Sequence, residues 1–296
     1  EGIYVYFKSG ALAGLDFEGK VKWKTNLQKR FGKDTLYWDI GTSPVLTENH
    51  VVVAVMHDRE GFLAAFDKQT GKLAWKADRN FKTPREGDHS YATPIVREQN
   101  GREQIVVWGA EHLTIHEAGA GREIWRCGGF NPDQKNNWVI VGSHVIHRNT
   151  AIVSYGRGSR MAAIRLAGEG DVTRSHKLWD REGAGSFVPS LAVYQDKVFV
   201  IGDKGAVHCV NPKTGRDFWK AELPKHRAKY YASPTLADGK LYATREDGVI
   251  FVASVNKRFD LLSENNMGER MIASPVPVGN RLLLRGEKHL FCVGMK

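Results

Sequence analysis

Leu63-Ala64-Ala65-Phe66-Asp67-Lys68-Gln69-Thr70-Gly71-Lys72-Leu73-Ala74-Trp75 is the stretch that decides the fold. An apolar strand runs into an acid, a tight turn closes on Thr-Gly, and a second short strand ends in Trp. An Asp or Asn opens such a hairpin by bonding its own backbone two residues on, and Gly supplies positive φ at the turn's end. The Trp four residues after the Gly is large enough to fill the gap between adjacent sheets. The same string recurs from Ala206 through Asn211, Gly215 and Trp219. Worn copies carry Asp16, Gly19 and Trp23, and then Glu117, Gly121 and Trp125. A divergent copy with a longer turn, Gly168-Glu169-Gly170-Asp171, ends at Trp179.

A second signature precedes these hairpins: Ser-Pro-apolar, then a β-rich strand. It is seen at Ser43-Pro44-Val45, Thr93-Pro94-Ile95, Ser233-Pro234-Thr235 and Ser274-Pro275-Val276, with degenerate copies at Ser143-His144-Val145 and Pro189-Ser190-Leu191. The anchors at 43, 93, 143, 190, 233 and 274 are 41 to 50 residues apart. Each period holds four short alternating strands, which is the blade signature of a propeller. The sequence therefore predicts an all-β fold, a β-propeller of four-stranded antiparallel blades in one domain spanning 1–296. Its seven units are anchored near 1–30, 43–75, 93–125, 143–179, 190–219, 233–262 and 274–296. The first and last units each show three strands. The opening Glu1-Gly2-Ile3-Tyr4 enters a strand partway, so a missing N-terminal piece upstream of Glu1 is expected, with eight blades in the intact protein, closed so that no sheet edge is left open.

The Ala65-x-Asp67-x-x-Thr70-Gly71-x-x-x-Trp75 string resembles the pyrroloquinoline quinone (PQQ) repeat, found in quinoprotein dehydrogenases and in non-enzymatic relatives of the BamB type. Tyr231-Ala232-Ser233-Pro234 followed by Gly239-Lys240-Leu241-Tyr242, and the closing Arg285-Gly286-Glu287-Lys288-His289-Leu290-Phe291-Cys292, are similar to the PQQ-like, BamB-like repeat proteins of bacteria, planctomycetes among them. The resemblance covers essentially the whole chain. It is specific for fold and poor for function, since one fold hosts many activities. It implies a periplasmic, secreted or cell-surface location. The enzymes of the superfamily hold their quinone between a Trp floor and an adjacent-cysteine disulfide, with calcium beside it. Here Cys127, Cys209 and Cys292 are far apart, and no carboxylate and Asn cluster stands out as a calcium set. Neither PQQ nor calcium is expected, and the chain is read as a scaffold rather than an enzyme, with quinoprotein oxidoreductase as the alternative and a carbohydrate-binding or polysaccharide-processing propeller as the second.

Composition bounds the rest. At 296 residues, 42% hydrophobic and 26% charged, the chain can build a sizeable core. No apolar run reaches the roughly 18–20 residues that cross a bilayer. The three cysteines sit at no metal or redox spacing and are expected to be small buried hydrophobes. His112 and His116 are four apart but on a strand, where they fall on one face as packing residues rather than metal ligands. Gly168-Glu169-Gly170-Asp171 is expected to be a hairpin extension, and Gly156-Arg157-Gly158-Ser159 lacks the second spacing of a nucleophile elbow. No catalytic set and no metal site is recognisable.

Charge says more. The net is +10. In a propeller, the connection from one blade's last strand to the next blade's first crosses one face and ends at the channel mouth. Residues 24–42, with Lys29, Arg30 and Lys33, carry +2; residues 76–92, with Lys82 and Arg85, carry +1; residues 220–232, with Lys225, Arg227 and Lys229, carry +3. That concentration predicts a basic face for a protein, an anionic polymer or a glycan. No nucleic-acid motif accompanies it. The same connections carry Tyr37, Trp38, His89, Tyr91, Trp138, Phe187, Tyr230 and Tyr231, beside Asp39, Asp88 and Arg270. These are the candidate ligand-binding residues of the channel mouth, because aromatics with a few polar groups suit sugar or peptide recognition.

Overall fold

Asp67 closes its turn as the residue type requires. Its Oδ1 accepts from the Gln69 amide at 3.1 Å, and from the Thr70 amide and hydroxyl, each at 2.7 Å. The Gly71 amide returns to the Asp67 carbonyl at 2.9 Å with φ +67°. In this computed structural model, which describes residues 1–58 and 60–294, the hairpin is the third and fourth strand of a blade: Val45–Leu46, His50–Val55, Phe62–Asp67 and Leu73–Asp78, paired in that order. The unbroken apolar run Val51-Val52-Val53-Ala54 follows from burial on both faces. Val51 and Val53 pack toward Leu12 of the preceding blade, while Val52 and Ala54 pack toward Ile105 and Val107 of the following one. Each of the larger side chains so covered contributes roughly 1.5–3 kcal/mol.

The described residues form seven sheets, all-β apart from one turn of α-helix, Leu27–Phe31, and a 3₁₀ turn, Arg85–Asp88. The fold is a β-propeller of antiparallel four-stranded blades, as expected, and the first and last sheets hold three strands here. Seven blades are present among the described residues, against the eight expected of the intact protein. Contacts divide the chain into two compact units. Unit 1 comprises residues 1–141 and 167–176 and carries the first three blades. Unit 2 comprises residues 142–166 and 177–296 and carries the other four.

Within unit 1 the blades are stapled by the signature residues. Trp23 Nε1 donates to the Lys68 carbonyl of the next blade at 2.8 Å, and Trp75 Nε1 to the Ala118 carbonyl at 3.2 Å. Each indole lies on the next blade's turn glycine: a Cβ on Gly71 would stand 2.5 Å from the Trp23 ring, and one on Gly121 would overlap Trp75. Those glycines serve twice, for positive φ and for the indole's approach. The Ser43 amide donates to Thr93 Oγ1 at 3.0 Å. The long turn after Ala163 departs from a plain hairpin extension. Gly170–Asp171 pairs in parallel with Trp125 and Arg126 as a fifth strand of the third blade, and His176 sits over Trp125.

Unit 2 repeats the plan. Trp179 Nε1 donates to the Pro212 carbonyl at 2.9 Å and lies on Gly215, while Trp219 packs on Phe199 and Phe259. The Ser143, Ser190 and Ser233 amides donate in turn to the hydroxyls of Ser190, Ser233 and Ser274, each at 2.9 Å. Every hairpin between third and fourth strands carries a register shift just before its Trp or the equivalent position, for example between Ala65 and Phe66 and between Cys209 and Val210. Cys127 and Cys209 are buried as expected. Cys292 is exposed, contrary to expectation, because it lies on the last strand of a three-stranded sheet, with no fourth strand beside it.

Candidate functional site

The turns between second and third strands and the connections to the next blade meet at one end of the blades in each unit. In unit 1, the connection after Trp75 begins with a buried guanidinium. Arg79 donates to Thr114 Oγ1 at 2.9 Å, and to the carbonyls of Gly109 and His112 at 2.9 and 2.7 Å. Burial draws it below its ordinary pKa, and the bonds to oxygen hold it. Those bonds fix the tight turn Ala110-Glu111, in which both residues have positive φ, +48° and +57°. The turn sends Glu111 inward, where Oε1 accepts from the Asn131 amide at 2.6 Å. Burial pushes this carboxyl up to about 7; the Asn131 bond opposes the shift and the charge of Asp88 adds to it. Gly87 has no space for a Cβ, since Glu111 and Thr83 stand where it would lie.

Outward from this acid, residues 79–94 frame a groove of about 550 Å³ lined by Asp58, Asn80, Lys82, Thr83, Arg85 and Asp88. Asp88 accepts from the Thr83 hydroxyl at 2.7 Å and from its amide at 3.2 Å. Asp58 pairs with His89 Nε2 at 2.9 Å. His89 is buried and takes the Tyr37 ring edge-on, with centroids 4.7 Å apart. The Tyr91 hydroxyl accepts from the Trp38 amide at 3.3 Å. That bond holds the Trp38 backbone while its side chain stays in solvent: the residue is 78% exposed, and Tyr37 is 58% exposed. Asp39 pairs with Lys8 at the surface. Trp138 is buried, donating to the Phe130 carbonyl at 2.6 Å with Lys135 over its ring.

At the equivalent end of unit 2, several charged side chains are paired. The Phe187 and Val188 amides donate to Asp203 Oδ1 at 3.0 and 3.3 Å, and Arg157 lies over the Phe187 ring. Arg270 bridges Glu246 and Glu287 at 2.6 and 3.1 Å. Tyr230 is buried against Phe251, and burial pushes its hydroxyl up to about 12; Tyr231 is half-buried.

The structure thus joins Trp38, His89, Tyr91 and Asp88 through Tyr37, Asp58 and Thr83. It places Trp138 and Tyr230 in the packing and commits Asp39 and Arg270 to ion pairs. Of the basic residues, Lys29 and Arg30 are exposed on the short helix, which Asn26 caps by accepting from the Lys29 amide at 2.9 Å, and Lys33 follows it. Lys82 and Arg85 are exposed on the groove. Lys225 and Arg227 are exposed and Lys229 half-buried in unit 2. His116 is buried, bonded to the Gly121 carbonyl and to Thr114, and His112 stacks on Phe81, which fits packing. Among the described residues no three or more His, Cys, Asp or Glu side chains cluster as a metal would need. Sequence reasoning missed Asp58, Glu111 and Asn131. Glu111 sits on a left-handed turn with no Asn-Gly or Asp-Gly to announce it, and Asp58 and Asn131 meet their partners only through the fold.

A family model described as outer membrane protein assembly factor BamB matches residues 1–220 and 176–282. A search of curated proteins returns no match. Among solved structures, BamB from Moraxella catarrhalis is similar with a TM-score of 0.69 at 17% identity, over 96% of this chain and 78% of that one. The computationally designed Ika8 protein gives 0.64 at 15%, over 98% and 82%. Quinohemoprotein alcohol dehydrogenase from Comamonas testosteroni gives 0.60 at 16%, over 86% of this chain and 46% of that one. At such identities these structures share the fold alone.

Proposed function

The chain belongs to the BamB family of PQQ-type repeat propellers, and from that premise we propose that it is a non-catalytic scaffold that binds a protein partner through the connections at one end of its blades. The observation that carries this reading is the end of unit 1, where Tyr37 and Trp38 stand in solvent, Trp38 with its amide held by the Tyr91 hydroxyl and Tyr37 with its ring against His89. Exposed aromatics on a rigid base are what protein interfaces use as anchors. The absence of adjacent cysteines in the sequence supports a role without PQQ, and with it without calcium. The family match supports placing the protein in the periplasm or at the cell surface, and no helix among the described residues is long and apolar enough to cross a membrane.

Titration calorimetry with PQQ and calcium, run beside cross-linking mass spectrometry from photo-reactive residues placed at Tyr37 and Trp38, tests the reading. It expects no heat from PQQ and a discrete cross-linked protein. Stoichiometric PQQ binding with calcium-dependent dye reduction by an alcohol or a sugar would replace it with the oxidoreductase reading. Cross-links to glycan alone would replace it with the carbohydrate-binding one.

A further inference from the structure

The groove of unit 1 holds two kinds of charge in unequal states. Its carboxylates are occupied: Asp58 by His89, and Asp88 by the Thr83 amide and hydroxyl. Its cations are not. Lys82 and Arg85 are exposed and make no ion pair among the described residues. Both also sit on left-handed backbone, φ +53° and +37°, where a residue with a Cβ costs on the order of 1 kcal/mol and glycine costs nothing. The loop is nonetheless held in place. The Lys82 amide donates to Asn80 Oδ1 at 3.0 Å, Pro84 fixes the bend between the two cations, and Asp88 ties the 3₁₀ turn back to Thr83. Two unpaired cations are therefore presented on a fixed loop.

A chain of contacts links them to the exposed aromatics. Asp58 lines the groove and bonds His89, and His89 carries the Tyr37 ring next to Trp38. We propose that this groove binds an acidic peptide segment of a protein partner, with side-chain carboxylates on Lys82 and Arg85 and an apolar or aromatic residue against Tyr37 and Trp38. Arg85 supplies the planar fork that matches a carboxylate, and Lys82 a mobile point charge. A sulfated or phosphorylated polymer has a denser negative charge, and it meets the Asp58 and Asp88 carboxylates in the same groove. A peptide can space its acids away from them and leave neutral backbone opposite. The volume of about 550 Å³ is that of a pocket for a short segment rather than a single ion.

The inference rests on the scaffold reading, and its test fails separately from that one. The 296-residue chain is titrated into a fluorescein-labelled peptide rich in Asp and Glu with one Phe, followed by anisotropy at low and raised salt. Lys82→Gly and Arg85→Gly remove the charge while relieving the left-handed backbone, so the variants are expected to fold at least as well as the parent. Each is expected to weaken binding about tenfold, as loss of one charge-assisted bond does. Trp38→Ala should also weaken it, and Lys213→Gln, in the exposed Asn211–Gly215 turn of unit 2, should leave it unchanged. Equal affinity of the glycine variants and the parent would overturn the proposal, as would equal affinity for the Asn/Gln version of the peptide. Lys82- and Arg85-dependent binding of a sulfated oligosaccharide or of phosphatidylglycerol vesicles, with none of the peptide, would overturn the choice of occupant. None of these outcomes bears on PQQ binding, which calorimetry reads independently.

Discussion

Glu111, in the turn, and His116, on the strand that the turn leads into, are shifted in opposite senses. Burial raises the Glu111 carboxyl from 4.5 to about 7, so the folded state prefers the protonated acid. A group shifted up in this way contributes stability that is full below its unfolded value and is lost as pH rises through the folded one. Glu111→Gln keeps an acceptor for Asn131 and removes the charge. It should match the parent near about pH 4 and exceed it by about 1–3 kcal/mol near about pH 8 in denaturant unfolding. An unchanged difference across that range would dismiss a buried ionisable acid there. His116 runs the other way. Burial pulls its imidazole from 6.5 down to about 4, so it folds neutral, and its contribution is present above 6.5 and lost as pH falls toward 4. His112, stacked on Phe81, is drawn down to about 4 as well. The unfolding midpoint of the parent is therefore expected to fall between about pH 7 and 5, and less steeply in His116→Gln. Glu111 works against the imidazoles over that interval, so the decisive comparison is between parent and His116→Gln, and identical slopes would count against His116.

Among the elements, the Trp-bearing hairpin shows what a sequence can and cannot disclose. Asp67, Gly71 and Trp75 were legible because each answers a local demand: a turn bond, a positive φ, a gap to fill. Gly71→Ala adds strain at φ +67° and an overlap with Trp23, whereas Gly19→Ala adds strain at φ +83° in open space. The first should cost about 2–4 kcal/mol and the second about 1 kcal/mol in chemical denaturation. Equal costs would mean that the indole does not rest on the turn. The register shift before each Trp was not legible. A bulge re-aims the side chains around it without requiring a residue type, and its positions here include Ala74, Leu178 and Phe218. The fifth strand at Gly170–Asp171 escaped for a related reason, since two residues in parallel pairing leave no alternation to detect. The aromatics of the candidate site were legible by place in the repeat but not by depth. Trp38 and Trp138 look alike in sequence, yet a carbonyl at Phe130 draws one indole inside, while the other stays in solvent.

For the molecule as a whole, three thiols report on its parts. Cys127 is buried in unit 1, Cys209 is buried in unit 2 with its thiol pushed up to about 11 by burial, and Cys292 is exposed. A thiol reagent should modify Cys292 at once and reach Cys127 and Cys209 only as their own units open, with both accessible in denaturant. Rapid modification of all three in the native protein would contradict the packing of both units. The ladder formed by the hydroxyls of Thr93, Ser190, Ser233 and Ser274 bears on divergence. Each rung joins a hydroxyl to a main-chain amide, and each Trp staple joins an indole to a main-chain carbonyl. Main-chain groups are the same whatever side chain they carry, so neighbouring blades recognise each other through partners that mutation cannot remove. The remaining positions are free to drift provided they stay apolar where buried, and relatives can keep this architecture while sharing only 17% of their residues.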